Sequence, residues 1–184
     1  RYSFIDHWYG HYWVQFLQIM KVFLIGMMGS GKSFWKQRLS AKLKTGGYDL
    51  DNIIESVEEH TISELFEEGG EAAFRKTEAK LLRWFGEKKS FVLATGGGTP
   101  CFHQNMEWMN QQGITIWLDE PVEVLVERLL PEMDQRPLLK NCTGDELESF
   151  IQKKLIERFQ YYSQSKIRLS GTEINLKNLI ANIK

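Results

Sequence analysis

Two cysteines in 184 residues, Cys101 and Cys142, are too few and too far apart to build a disulfide framework. Neither sits in a Cys-x-x-Cys pair, so the usual zinc-site spacing is excluded as well, and a reducing, cytoplasmic setting is expected. The chain also lacks an excess of either charge: 23 Lys and Arg against 24 Asp and Glu leave a formal net charge of −1. There is then no global basic field to draw in nucleic acid, and no run of like charge marks an interaction tail. No apolar stretch approaches the ~20 residues needed to span a bilayer, so no membrane partner is expected. What is present is a length normal for one domain and a hydrophobic content of 42 %, ample for a substantial core. Nothing in the sequence demands an oligomer, and a monomer is expected.

The first nineteen residues stand apart. They hold seven of the 23 aromatic residues, among them Trp8, Tyr12 and Trp13, yet Asp6, His7 and His11 interrupt them and no small-residue cleavage site follows. That is not the pattern of a signal peptide. His7 and His11 are four apart and could share a helical face, but two histidines without further ligands make a poor metal site. Because Met20 directly precedes the first strand, residues 1–19 are read as an extension from an upstream start, dispensable for the fold, with the domain running over 20–184.

The strongest pattern is Gly26-Met27-Met28-Gly29-Ser30-Gly31-Lys32-Ser33. Lys21 to Ile25 reads as a short buried strand entering it and Ser33 to Leu39 as a helix leaving it, the context a phosphate-binding loop requires. Glycines let the backbone bend tightly and approach oxygen atoms, while the emerging helix points its positive end at an anion. Gly29, Ser30, Gly31, Lys32, Ser33 and Phe34 are the candidate nucleotide-binding residues. Lys32 brings a mobile charge to the β- and γ-phosphates, and the Ser33 hydroxyl is suited to Mg²⁺, a hard cation that combines few protein ligands with phosphate oxygens and water. The blander reading, a tight strand-to-helix turn and nothing more, does not account for the full pattern in this context.

Further along, Tyr48 to Asp51 reads as a strand end, and Ile53 to Phe66 as two short helices broken near Glu59-His60-Thr61 and closed by Gly69-Gly70. A longer helix is predicted from about Glu71 to Phe85, then a strand Phe91 to Thr95 closed by Gly96-Gly97-Gly98. Ile114 to Leu118 is a fourth strand. Asp119 is expected to cap the next helix, with Pro121 in its first turn. Residues 130–144 carry breakers without periodicity and read as a mobile lid. A helix from Asp145 to Ser165, an edge strand Lys166 to Ser170 and a helix from about Leu176 complete the chain. This alternation predicts a three-layer α/β/α fold around a central parallel five-stranded sheet, with a helical insert over about 51–80 and ligands at the carboxyl ends of the strands.

Some charges fall on apolar helix faces. On a 3.6-residue wheel Glu78 lies among Phe74, Leu81, Leu82 and Phe85, with Arg75 at the edge of that stripe. An i,i+3 ion pair explains their proximity but not their position on the apolar side. Arg158 likewise projects from the centre of a stripe formed by Leu147, Ile151, Leu155 and Tyr162, so it should meet an anion, whether a protein carboxylate or a ligand. Asp49 and Asp51, one residue apart on an extended strand end, would project to one side and could organise Mg²⁺ beside a hydroxyl nucleophile; turn chemistry alone is the plainer reading.

In this order the motifs resemble shikimate kinases, small P-loop kinases similar in fold to nucleoside monophosphate kinases. The resemblance runs from about Met20 to Tyr162 and rests on the P-loop, Asp49-Leu50-Asp51, Phe74-Arg75-Lys76-Thr77-Glu78, Gly96-Gly97-Gly98, Arg136-Pro137-Leu138-Leu139, and Arg158 with Tyr162. It implies transfer of the γ-phosphoryl group of ATP to the 3-hydroxyl of shikimate, a step toward chorismate and the aromatic amino acids. It further implies that Asp51, Arg75, Gly97 and Arg158 hold shikimate, the two arginines on its carboxylate and Asp51 on its hydroxyl, with Glu78 orienting Arg75. Ser33 would bind Mg²⁺ directly and Asp49 through water. Lys32, Asp51 and Arg136 would be catalytic, Arg136 closing over the phosphates from the lid, and Arg128 would also contact nucleotide.

Leu50 departs from the Thr or Ser common between the two aspartates, and Ser170 to Glu173 does not display an adenine-contacting stretch. Another small-molecule kinase, such as a gluconate kinase, would share the P-loop without the remaining set. A non-catalytic nucleotide-binding regulator would require neither a lid arginine nor a substrate-side aspartate.

Overall fold

The computed structural model describes residues 20–135 and 144–183. The N-terminal extension with His7 and His11, the lid residue Arg136, its neighbour Pro137, and Cys142 lie outside the described residues. Within them, the strands are β1 (Lys21–Ile25), β2 (Gly46–Asp49), β3 (Phe91–Ala94), β4 (Ile114–Asp119) and β5 (Ile167–Ser170). They form one sheet in the order β2-β3-β1-β4-β5, and each neighbouring pair is parallel. Seven helices connect and cover them: α1 (Lys32–Leu43), α2 (Leu50–Glu58), α3 (Ile62–Trp84), α4 (Asn105–Gln112), α5 (Val122–Leu129), α6 (Gly144–Tyr162) and α7 (Leu176–Ile183).

The layers follow from the period-2 pleat acting on nearly continuous apolar strands. Phe23 and Ile25 of β1, Phe91 and Leu93 of β3, and Trp117 of β4 point to one face, where Leu50, Leu82, Met109, Leu125 and Ile151 from α2 to α6 cover them. Val22 and Leu24, Val92, and Ile116 and Leu118 point to the other face, under Leu39 of α1 and Leu179 and Ile183 of α7. Burying each of these large side chains is worth about 1.5–3 kcal/mol. A herringbone of Phe23, Phe91 and Phe85, with ring centroids 5.3 and 5.1 Å apart, knits β1 and β3 to the end of α3.

Local chemistry explains most boundaries. Thr61 and Glu64 close a reciprocal capping box at the start of α3: the Thr61 hydroxyl accepts from the Glu64 N–H, and the Glu64 carboxylate accepts from the Thr61 N–H at 2.7 Å. Gly70, at φ 71° and ψ 174°, breaks α3 where the Gly69-Gly70 pair is expected to end a helix. Three details differ from the sequence expectation. Asp119 does not cap α5; it ends β4, and its carboxylate instead accepts from Arg168 of β5 at 2.6 Å, leaving Pro121 in the cap position. Asp51 is not on extended chain, because the strand stops at Asp49 and Asp51 lies in the first turn of α2. Helix α4 is not anticipated by the sequence pattern: Asn-Met-Glu-Trp-Met-Asn-Gln-Gln offers only Met106 and Met109 as fully buried apolar residues, too few for a periodic signal.

Candidate active site

All five strands run the same way, so the loops after β1, β2 and β3 emerge at one edge of the sheet, and there they build two neighbouring cavities. The first part of the site is the loop from β1 into α1. Gly31 caps α1 with φ 84°, a conformation that a side chain would strain, and the loop closes on itself through the Ser30 N–H to the Met27 carbonyl at 3.2 Å. The Lys32 ammonium lies across the loop, donating to the carbonyls of Gly26 and Met27 at 2.9 and 2.7 Å. Beside it the Ser33 hydroxyl donates to the Asp49 carboxylate at 2.6 Å. Two hard oxygen donors next to a phosphate cradle fit a Mg²⁺ ion. No group of three or more His, Cys, Asp or Glu among the described residues could hold a metal by itself, so a cation here would depend on phosphate oxygens as well.

A cavity of about 630 Å³ opens on the far side of this loop, between Phe34 and Trp35 of α1, Arg128 of α5 and the turn Gly171–Ile174. Arg128 is fixed there by two contacts, to the Gly29 carbonyl at 3.0 Å and to the largely buried Glu120 carboxylate at 3.0 Å. The sequence assigns nothing to Gly171 and Thr172. Their part in this wall is created by β5 lying next to β4, and no local motif records it.

The second cavity, about 560 Å³, lies between the insert of α2 and α3, the glycine triplet and α6. It is lined by Asp51, Arg75, Glu78, Gly96, Gly97, Gly98 and Arg158, so residues distant in sequence converge as expected. Asp51, largely buried, has its carboxyl pushed up from the ordinary 3.8 to about 6, first by burial and then by the nearby Asp49 and Glu78 charges, with Lys32 and Arg75 pulling the other way. Glu78 is fully buried, and each of its oxygens has a donor: Arg75 Nη1 at 3.0 Å on one and the Thr99 hydroxyl at 2.6 Å on the other. Arg75 packs its guanidinium 4.6 Å from the Phe102 ring centre and also meets Glu71 at 3.2 Å.

The triplet is glycine for a specific reason at each position. A β-carbon on Gly96 would lie 2.9 Å from Asp51 Oδ1, one on Gly97 2.9 Å from Arg158 Nη1, and one on Gly98 2.8 Å from Arg75 Cζ. Each glycine therefore makes room for a different charged side chain of the site. Arg158, half-buried in its apolar stripe, directs Nη1 to Met27 Sδ at 3.2 Å and pairs with no carboxylate among the described residues. Of the two anions the wheel left open for it, a protein carboxylate is not found among the described residues. Tyr162, fully buried with its hydroxyl pKa raised by burial, donates to the Gly97 carbonyl at 2.6 Å and fixes the turn from behind. The helical wheel shows Tyr162 only as part of a stripe; its hydroxyl contact depends on packing between α6 and the triplet.

Residues 28–183 match the family model described as shikimate kinase. The shikimate kinase of Phocaeicola vulgatus is 41 % identical over 160 residues, spanning 87 % of this chain and 91 % of that protein. The crystal structure of the Bacteroides thetaiotaomicron shikimate kinase superposes with a TM-score of 0.81 at 36 % identity, covering 89 % of this chain and 94 % of the other. The solved structure of the Acinetobacter baumannii shikimate kinase in complex with shikimate gives a TM-score of 0.80 at 30 % identity, covering 91 % of this chain and 92 % of the other. A gluconokinase from Sinorhizobium meliloti shares the fold alone, with a TM-score of 0.56 at 12 % identity.

Proposed function

Because the chain belongs to the shikimate kinase family, whose members pass phosphate from ATP to shikimate, we propose that its two cavities divide those two substrates between them. The observation that carries this division is the convergence of Asp51, Arg75, Glu78, the glycine triplet and Arg158 on one cavity beside the phosphate loop.

In this reading the cavity between α1, Arg128 and Gly171–Thr172 receives the adenosine end of ATP, and the backbone N–H groups of Gly29 to Ser33 receive its phosphates. Lys32 leaves the loop carbonyls for the β- and γ-phosphate oxygens. Ser33 would hold Mg²⁺ directly and Asp49 through water. When bound, the cation supplies neutralisation of the charge shared by the β- and γ-phosphates. Arg75, beside Gly98, and Arg158, beside Gly97, hold the shikimate carboxylate, Glu78 orients Arg75, and Gly97 presents backbone to the ring.

Asp51 accepts a hydrogen bond from the 3-hydroxyl and takes its proton as the oxygen attacks the γ-phosphorus, whose bond to the β–γ bridging oxygen breaks so that ADP leaves. A carboxylate with pKa near 6 is mostly ionised at neutral pH yet basic enough for that task, which the ordinary value of 3.8 would serve less well. Arg136 closes over the transferring group. The chain works as a monomer on two small molecules in the cytoplasm, with no nucleic-acid partner. No helix among the described residues is long and apolar enough to cross a membrane.

A coupled ADP-release assay with shikimate, quinate, gluconate and nucleoside monophosphates tests the division. Turnover is expected on shikimate far above the others. Equal turnover on all of them, or none on shikimate, contradicts it.

A further inference from the structure

The turn after β3 is fastened to α3 at two points. The Thr99 hydroxyl donates to Glu78 Oε1 at 2.6 Å, and both residues are fully buried. One turn further along α3, Arg83 Nη1 donates to Asn105 Oδ1 at 2.8 Å, and Asn105 Nδ2 returns to the Thr99 carbonyl at 2.8 Å. Asn105 therefore fixes the Thr99 backbone while the Thr99 side chain reaches the site.

The Arg75 guanidinium has five N–H groups. Glu71 Oε1 engages the Nε edge and Nη2 at 3.2 Å each, and Glu78 Oε2 takes one from Nη1 at 3.0 Å. One N–H then remains on Nη1 and one on Nη2, and these two make up the outer edge left for an incoming carboxylate. That edge stays available only while Glu78 is content with a single arginine nitrogen. A buried carboxylate oxygen without a donor is costly. Deprived of the Thr99 hydroxyl, Glu78 Oε1 has no other hydrogen-bond donor among the described residues, and the cheapest repair is rotation onto the second arginine nitrogen.

We propose that Thr99 is a positioning residue for the acceptor, its hydroxyl occupying one oxygen of Glu78 so that the outer edge of Arg75 remains turned to the shikimate carboxylate. This role rests on the assignment of Arg75 and Glu78 to that carboxylate. It concerns a side chain that touches neither substrate.

Thr99→Val keeps the shape and removes the donor, whereas Thr99→Ser keeps the donor and removes a methyl. Steady-state kinetics on both, on Glu78→Gln and on the Thr99→Val, Glu78→Gln double variant separate the possibilities. Thr99→Val is expected to raise the shikimate KM about three- to tenfold, the scale of one ordinary hydrogen bond, because Thr99 acts on the substrate carboxylate only through Glu78, with kcat and the ATP KM within twofold. Thr99→Ser should return the shikimate KM to the parent value, and the double variant should be no worse than Glu78→Gln alone. A Thr99→Val enzyme with unchanged shikimate KM while Glu78→Gln is impaired overturns the role of Thr99. An unchanged KM in Glu78→Gln overturns the underlying assignment instead. A serine variant worse than valine, or additive effects in the double variant, means packing and also overturns the proposal. Where valine does not fold, Thr99→Ala serves the same comparison.

Discussion

Arg75 and Glu78, three residues apart on α3, form an ion pair at 3.0 Å in which the carboxylate is completely buried while the guanidinium lines the cavity beside the P-loop. A pair at this spacing on an exposed helix contributes little, about 0.2–0.5 kcal/mol. Buried, it behaves differently, because removing one partner strands the other away from water. Glu78→Ala is expected to cost about 3 kcal/mol of unfolding free energy in denaturant titrations. The same variant should raise the shikimate KM with little change in the ATP KM. A loss below about 0.5 kcal/mol would mean that the pair is solvated in solution.

Asp51 couples activity to stability in opposite directions. Its carboxyl titrates near 6 in the folded protein against an ordinary 3.8, so folding disfavours its charged form. The penalty is absent below pH ~3.8, where both states are protonated, grows as pH rises to about 6, and is complete above that. Two pKa units correspond to at most about 3 kcal/mol. Asp51→Asn should therefore raise the melting temperature at pH 7.5 but not at pH 4, while lowering kcat by about 10²–10⁴. In the parent enzyme kcat/KM for shikimate should fall as pH drops through about 6. A melting temperature that Asp51→Asn lowers at pH 7.5 would contradict the assigned environment.

Gly98→Ala tests the triplet. The new methyl would meet the Arg75 guanidinium, which is held by Glu71 and Glu78 and cannot simply withdraw. The shikimate KM is expected to rise by about tenfold or more, the scale of a lost charge-assisted contact, with the ATP KM within twofold. Equal kinetics in variant and parent would show that Arg75 is not needed in this position.

Arg136 and residues 1–19 lie outside the described residues, and two variants test the roles proposed for them. Arg136→Ala should lower kcat by about 10³ or more, as for arginines that meet a transferring phosphoryl group, with both KM values changed only a few-fold. Deletion of residues 1–19 should leave the melting temperature within about 2 °C, equivalent to less than about 1 kcal/mol for a domain of this size, and activity nearly unchanged. A large loss of either would make the segment part of the working protein.

Much of this site is legible in the residue pattern alone. The P-loop announces itself through residue types at fixed spacing, and Glu78 and Arg158 stand out because a charge within an apolar helix stripe violates the pattern around it. The kink at Gly70 likewise follows from glycine chemistry. What the pattern hides depends on contacts between distant segments. Asp119 has the local chemistry of a helix cap, but β5 brings Arg168 against it and the ion pair wins. Thr99, Tyr162 and Gly171–Thr172 acquire their positions only when α3, α6 and β5 pack, and no spacing rule encodes that. Helix α4 is short and polar, held through Asn105 and two methionines rather than by a periodic face.

A grip on the acceptor carboxylate, with Arg158 as a principal donor, is what we propose the cavity beside the P-loop provides. Its most direct test is the ratio of kcat/KM for shikimate to that for the carboxamide analogue, measured in the parent enzyme and in Arg158→Ala. The parent should favour shikimate by about 10- to 100-fold, the scale of one charged hydrogen-bonded contact, and the variant should lose most of that preference while the ATP KM stays within twofold. An unchanged ratio in Arg158→Ala, or ATP binding weakened in parallel with shikimate, would contradict the account.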